Sequence, residues 1–222
     1  MFGGLTKLRR ETDKAMIDVI PGILEKEWTP IEERMRLVES FVEWVQIDVA
    51  DNTLVSNTTF LDFSKFTSIA KPFLEAHLMV ARPEKYITSM VDAGFKRLIA
   101  HVECNDPRVF LDAAKYEHVE VGIAIDGPTE LEQVEPYLEE VDVVLVMTIE
   151  AGFSGQPFLS ETLEKIKTIH QNFPDLPIEV DGGINDNTAK LVIEAGATRL
   201  VSTSYIYKSS NIAQAIDSLK NL

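Results

Sequence analysis

Along almost the whole chain, short runs of β-branched and apolar residues alternate with longer segments whose apolar positions recur every three or four residues. The runs predict eight strands: Ile17–Leu24, Trp44–Val49, Phe73–Met79, Arg97–Glu103, Glu120–Ile125, Val143–Thr148, Ile178–Val180 and Arg199–Ser202. A stretch of helical spacing follows each, such as Leu163, Ile166 and Ile169, or Leu191, Val192 and Ala195. Turn punctuation such as Asp92-Ala93-Gly94 and Glu194-Ala195-Gly196 closes these stretches. Strands that are apolar nearly throughout are buried on both faces, as in parallel sheets covered by helices. Strand-helix units of about 25 residues, eight in a row, predict an α/β fold: a single (β/α)8 TIM barrel over residues 17–222. The rival is a doubly wound open sheet. It loses its strongest support because Pro21-Gly22-Ile23-Leu24 leads to Glu25 and Trp28, with no Gly-x-Gly-x-x-Gly after the first strand. Residues 1–16 form an N-terminal extension in which Lys7, Arg9, Arg10 and Lys14 outnumber Glu11 and Asp13, the composition of a solvated turn or frayed end.

Composition narrows the partners. With 222 residues and 45% hydrophobic content the chain can bury a large core, and its formal net charge of -15 repels nucleic acid and anionic membrane surfaces. Val141 to Ile149 is among the longest apolar runs, yet it is strand-sized and interrupted by Asp142, so no span across a bilayer is expected. Met1 to Arg10 lacks an apolar stretch followed by a cleavage site, and Cys104 is the sole cysteine; both fit a reducing, cytoplasmic setting. An acidic protein still binds phosphate where backbone N–H groups converge, so a small sugar phosphate remains an admissible partner. The sequence leaves assembly into a homo-oligomer open.

Barrels of this kind place chemistry at the C-terminal ends of their strands. Asp48 ends the second predicted strand, His77 the third and Asp181 the seventh. Strands two and seven lie on opposite sides of such a mouth, so the two aspartates are expected to face each other across a substrate. One then removes a proton beside a carbonyl and the other returns one to the opposite face, through an enediolate that a divalent metal on Asp48, His77 and Asp181 stabilises. Each residue alone has a structural explanation, as a helix cap or a hydrogen-bonded core histidine, and only the set of three points to chemistry. A second set is glycine-rich. Met147 to Gln156 gives a loop after strand six, Asp181-Gly182-Gly183-Ile184-Asn185 opens a helix, and Ser202-Thr203-Ser204 follows strand eight, in the region where this fold recurrently binds phosphate.

Three segments are more specific than any single glycine: Ala76-His77-Leu78-Met79-Val80 with Arg82-Pro83-Glu84, Leu145-Val146-Met147-Thr148 with Gly152-Phe153-Ser154-Gly155-Gln156, and Ile178-Glu179-Val180-Asp181-Gly182-Gly183-Ile184. In these the chain resembles the ribulose-phosphate 3-epimerase family from about Val19 to Ala215. The resemblance implies that Asp48 and Asp181 are the acid/base pair and metal ligands, that His77 is a ligand beside the substrate, and that Met79 and Met147 line the reacting face. It further implies that Gly152, Phe153, Ser154, Gly155, Gly182, Gly183, Thr203 and Ser204 hold the substrate phosphate. The departures cluster in the site. Gln46 stands where the family has a histidine ligand, Ala50 and Asn52 where methionine and glycine are usual, and Gly22 where a serine contacts substrate. Ala151 replaces a proline, and Ser154 and Thr203 stand at positions commonly glycine. A neutral amide oxygen at Gln46 is a weak ligand for zinc, and an oxygen-rich set favours manganese, magnesium or iron.

Two function classes follow. One is an epimerase of a ketose phosphate, such as ribulose 5-phosphate and xylulose 5-phosphate, which the retention of Asp48, His77 and Asp181 favours. The other is a non-catalytic phosphosugar-binding homologue acting as sensor or partner, which the changes at Gln46, Ala50 and Gly22 favour. A decarboxylase or synthase of related type expects Asp-x-Lys-x-x-Asp, and Asp48-Val49-Ala50-Asp51 carries no lysine. Of the other histidines, His101 is expected in the core or behind the pocket, and His118 and His170 on the surface; Cys104 is expected to be a packing residue.

Overall fold

A computed structural model describes residues 17–69, 71–153 and 155–222. Within it eight parallel strands close into one barrel: β1 (Asp18–Ile23), β2 (Trp44–Ala50), β3 (Phe73–Met79), β4 (Arg97–His101), β5 (Glu120–Ile125), β6 (Val143–Met147), β7 (Ile178–Asp181) and β8 (Arg199–Ser202). β1 completes the ring against β8, with Asp18 opposite Arg199 and Pro21 opposite Ser202. The expectations for the N-terminal extension and for Ser154 lie outside the described residues.

Helices α1 (Trp28–Val38), α2 (Ile87–Asp92), α3 (Pro107–Tyr116), α4 (Thr162–Asn172), α5 (Asp186–Ala195), α6 (Ser204–Tyr207) and α7 (Ile212–Lys220) cover the barrel. Their starts and faces follow from sequence. Pro107 opens α3 after Asp106, whose carboxylate accepts from the N–H groups of Arg108 and Val109. Asn185 and Thr188 form a reciprocal capping box on α5, and α1 buries Ile31, Met35 and Val38 along one stripe.

Two of the expected helices are absent among the described residues. After β2 the chain forms only a 3-10 turn at Phe63–Ser68, and after β5 only the turns Leu131–Gln133 and Glu135–Glu140. The first segment is rich in Ser, Thr, Asn and Asp, whose side chains take local partners in place of a helix: the N–H of Thr53 donates to Asp51 and that of Thr58 to Asn57. The second carries Pro128 and Pro136 among Glu130, Glu132, Glu135, Glu139 and Glu140, so neither an unbroken backbone ladder nor a broad apolar face is available.

Alternation along each strand divides the interior in two. Outward side chains such as Val45, Ile47, Leu74, Leu78, Leu98 and Val180 pack under the helices in the main core. Inward side chains form an apolar plug of Ile99, Ala124, Val143, Leu145 and Met147. Below the plug lies a charged floor. Arg97 on β4 pairs with fully buried Glu75 on β3, reaches Glu120 at 2.7 Å and Glu179 at 3.7 Å, and stacks over Trp44 with its guanidinium carbon 3.9 Å from the ring centre. Neither carboxyl oxygen of Glu179 has a hydrogen-bond partner. Burial, reinforced by the charge of Glu75, holds the Glu179 carboxyl well above the usual carboxylate range.

Replacing Arg97 by Ala leaves Glu75 without its ion-pair partner, with only the more distant Arg199 to offset the two glutamates, and should cost about 3–5 kcal/mol in chemical denaturation. Glu179→Gln should act in the opposite sense. A carboxyl whose folded pKa is raised stabilises the fold fully below its unfolded value of about 4.5, and that contribution is lost as pH climbs through the folded pKa. The variant's urea midpoint should therefore match wild type in acid and exceed it increasingly towards alkaline pH; a constant offset would contradict this.

Candidate active site

The inward positions at the opposite end of the plug carry the candidate chemistry. β2 pairs with β3 so that Asp48 lies beside His77, while Gln46 points inward two residues below Asp48. Asp48 and His77 sit two residues before the ends of their strands, deeper than their sequence reading as terminal residues, whereas Asp181 is the last residue of β7.

These side chains converge on one point. Gln46 Nε2 donates to Asp48 Oδ1 at 2.8 Å and to Asp181 Oδ2 at 2.7 Å. His77 Nδ1 lies 3.1 Å from the same oxygen of Asp48 and 3.6 Å from that of Asp181. One ligand atom each from Asp48, His77 and Asp181 falls within 4.8 Å of the others. The two aspartates thus approach each other at the base of the mouth. In the closed ring only β8 and β1 separate β7 from β2, and the two side chains lean inward over the plug. Gln46 Oε1 is buried and lacks a hydrogen-bond partner.

Charge follows from this packing. Burial pushes the Asp48 carboxyl up to about 6, with Asp181 adding repulsion while hydrogen bonds from His77 and Gln46 pull it back. Burial alone would lower the His77 pKa, but hydrogen bonds to Asp181 and Asp48 outweigh it and raise the ring to about 10. Without a metal the cluster is therefore an imidazole ring and an amide N–H2 group held between the side chains of Asp48 and Asp181.

Above the cluster opens a small concave pocket at the mouth of the barrel. Asp48, His77 and Asp181 form part of its lining, together with Met79, Met147, Gly152, Phe153, Gly155, Gly182, Gly183, Thr203 and Ser204. Every expected site residue within the described segments is brought here except Gln46, which lies beneath Asp48. The glycines are needed. Gly182 has φ +120°, and a Cβ there would stand 2.5 Å from Ile149 Cγ1 and 2.9 Å from the Ile149 backbone nitrogen. Two of the sequence departures prove to be neighbours: a Cβ on Gly22 would lie 2.6 Å from Thr203 Oγ1, so the threonine hydroxyl occupies the space next to the bare first strand.

A model of the ribulose-phosphate 3 epimerase family matches residues 18–207. The chain belongs to this family. It is 34% identical over 214 residues to the ribulose-phosphate 3-epimerase of Bacillus subtilis (strain 168), covering 92% of this chain and 99% of that one. To the enzyme of the same name from Synechocystis sp. it is 33% identical over 215 residues, covering 92% and 94%. Among solved structures, 3-hexulose-6-phosphate synthase from Salmonella typhimurium superposes with a TM-score of 0.71 at 16% identity over 92% of this chain and 97% of that one. That likeness extends to the barrel alone. Among the described residues no helix is long and apolar enough to cross a membrane.

Sequence reasoning passed over several residues that shape the epimerase-family site. Asn57 Nδ2 donates to the Gly152 carbonyl at 2.8 Å, tying the loop after β2 to the loop after β6. Thr148 Oγ1 donates to the carbonyls of Asp181, at 3.1 Å, and Gly182, fixing the turn beyond β7. His101 is buried, as expected, and contacts His77 directly. His118 and His170 are on the surface, and Cys104 is a buried free thiol that burial pushes up to about 11. Polar residues within an apolar stretch were the signal for Thr148 and His101; nothing distinguished Asn57 from its polar neighbours.

If Gln46 lowers the Asp48 pKa by donating to it, Gln46→Leu should raise that pKa above the value near 6. Carbon-13 NMR titration of the aspartate carboxyls in metal-free protein reads the shift, and an unchanged or lower pKa would contradict the assignment.

Proposed function

We propose that the chain is an isomerase that interconverts the C3 epimers of a ketose phosphate, with ribulose 5-phosphate and xylulose 5-phosphate as the first substrates to test. The observation that carries this reading is the meeting of Asp48 and Asp181 with His77 beneath a glycine-lined cavity. Asp48 takes the proton from carbon 3 as the C–H electrons move towards the C2 carbonyl, giving an enediolate. Protonated Asp181 then delivers a proton to the opposite face of carbon 3, the electrons return from oxygen, and the centre is inverted. A carboxyl poised near 6 suits such exchange at neutral pH.

Asp48, His77 and Asp181 supply a nitrogen and two carboxylates, a donor set that fits a divalent cation. Gln46 presents its oxygen to the same point if its amide turns over, and the resulting oxygen-rich set favours manganese, magnesium or iron above zinc. When bound, the cation supplies the positive charge that favours the enediolate. Met79 and Met147 line the apolar side of the reacting carbons. Gly152, Phe153, Gly155, Gly182, Gly183, Thr203 and Ser204 surround the phosphate, whose charge the backbone N–H groups of these turns accommodate without a lysine or arginine.

Solvent deuterium should enter carbon 3 with the wild type, and Asp48→Asn and Asp181→Asn should slow that exchange by about 10²–10⁴-fold. Metal content measured alongside separates loss of a base from loss of a ligand. The second reading, a phosphosugar-binding protein without turnover, draws on the Gln46 amide, whose N–H2 group sits where a cation would. It replaces the first if the wild type binds ketose phosphates yet exchanges no deuterium with manganese, magnesium, iron or zinc. Gln46→His should tighten zinc binding, measured by competition with a chelator; unchanged affinity would place the weakness elsewhere in the site.

A further inference from the structure

The hydrogen-bond chain does not stop at the carboxylates. His77 Nε2 lies 2.8 Å from His101 Nε2, and His101 Nδ1 lies 2.9 Å from Glu103 Oε2. The other oxygen of Glu103 accepts the backbone N–H of Asp126 at 2.9 Å. Both rings are buried and stacked with centroids 5.0 Å apart, while the Glu103 side chain is partly exposed. The strands build this line. His101 is the last residue of β4, and Glu103 lies in the turn just beyond it.

The outer end fixes the direction of every proton in the chain. A backbone N–H only donates, and an ionised carboxylate only accepts. Burial would raise the Glu103 pKa, but hydrogen bonds from His101 and from the Asp126 N–H help bring it down to about 2, so the carboxylate is ionised at neutral pH. His101 therefore donates from Nδ1, which leaves the lone pair on its Nε2. That lone pair accepts the Nε2–H of His77. Whether or not His77 carries a second proton, its Nε2 must be the donor facing His101. Nδ1, which points at Asp48 and Asp181, is then the nitrogen free to act as a ligand.

We propose that Glu103 is a positioning residue which, through His101, sets the tautomer of His77 and so directs the Nδ1 lone pair to the point shared with Asp48 and Asp181. The consequence for metal binding rests on the reading of that point as a cation site; the tautomer of His101 does not.

Glu103→Gln tests this because it keeps the shape and reverses the polarity. The Asp126 N–H still requires an oxygen, so the new amide oxygen is held there and the N–H2 group turns to His101 Nδ1. His101 must then accept at Nδ1 and donate from Nε2. His77 in turn accepts at Nε2 and carries its proton on Nδ1, where the cation would bind.

Histidine-selective nitrogen-15 labelling reads these states directly, and with four histidines the spectrum is simple to assign. In metal-free wild type His101 should be protonated on Nδ1 and bare on Nε2, and in E103Q the two should exchange. Zinc or magnesium affinity by calorimetry should fall by about 10–100-fold in E103Q, with far-ultraviolet circular dichroism unchanged. A merely structural Glu103 would alter stability and leave the tautomer alone. A wild-type His101 protonated on Nε2 overturns the proposal by itself, even if the variant does not fold. So does an E103Q protein with an unaltered tautomer, or with unaltered affinity for a metal that the wild type binds. If the wild type binds no divalent cation, the cation reading fails separately, and the His101 tautomer still decides the role of Glu103.

Discussion

Two carboxylates cannot lie within hydrogen-bonding reach of a single buried nitrogen unless something between them donates hydrogen bonds or carries positive charge. Asp48 and Asp181 are in that position, and Gln46 and His77 are what stands between them. The same problem recurs at the other end of the barrel, where Glu75 and Glu179 are fully buried and Arg97 intervenes. One strand supplies both layers: Glu179 and Asp181 are inward neighbours on β7, as Glu75 and His77 are on β3. The apolar plug on β4, β5 and β6 fills the other half of the interior. Asp181 adds to the repulsion felt by Glu179, so the floor and the site are electrostatically linked along β7.

That arrangement explains why the departures from the family pattern are local. A β2 residue in the Gln46 position must offer donors to two carboxylates, and an amide does so without bearing charge. Gly22 and Thr203 meet at the β1–β8 seam, where the bare glycine backbone leaves room for the hydroxyl of the residue just after β8. Filling both positions with side chains would require the Thr203 hydroxyl to move from its present place.

Much of the barrel was legible because parallel strands buried on both faces are rich in apolar residues, and β3, β5 and β8 fall where the pattern puts them. The segments after β2 and β5 were misread as helices because their spacing was weighed above the competing side-chain caps and prolines. Asp48, His77 and Asp181 stood out as polar residues at strand ends. Their approach was expected through a shared cation, but the bridging of the two carboxyl groups by the Gln46 N–H2 group was not, since it depends on how far each lies inside its strand. The link from His77 to Glu103 was hidden for a related reason. It runs between β3 and β4, and no spacing along one strand reports a contact between two.

The Gln46 amide also determines what loading a cation must involve under the proposed function. Its N–H2 group makes two hydrogen bonds to carboxylates, each worth about 1.5–3 kcal/mol for a charged acceptor. A cation sharing those oxygens displaces both bonds. The loss is offset in part because rotation of the amide gives Oε1, now buried without a partner, a positive charge to face. Loading is therefore a competition between an internal donor and an external ion. Glutamine in this position therefore stabilises the metal-free cluster, because its N–H2 group donates to both carboxyl groups.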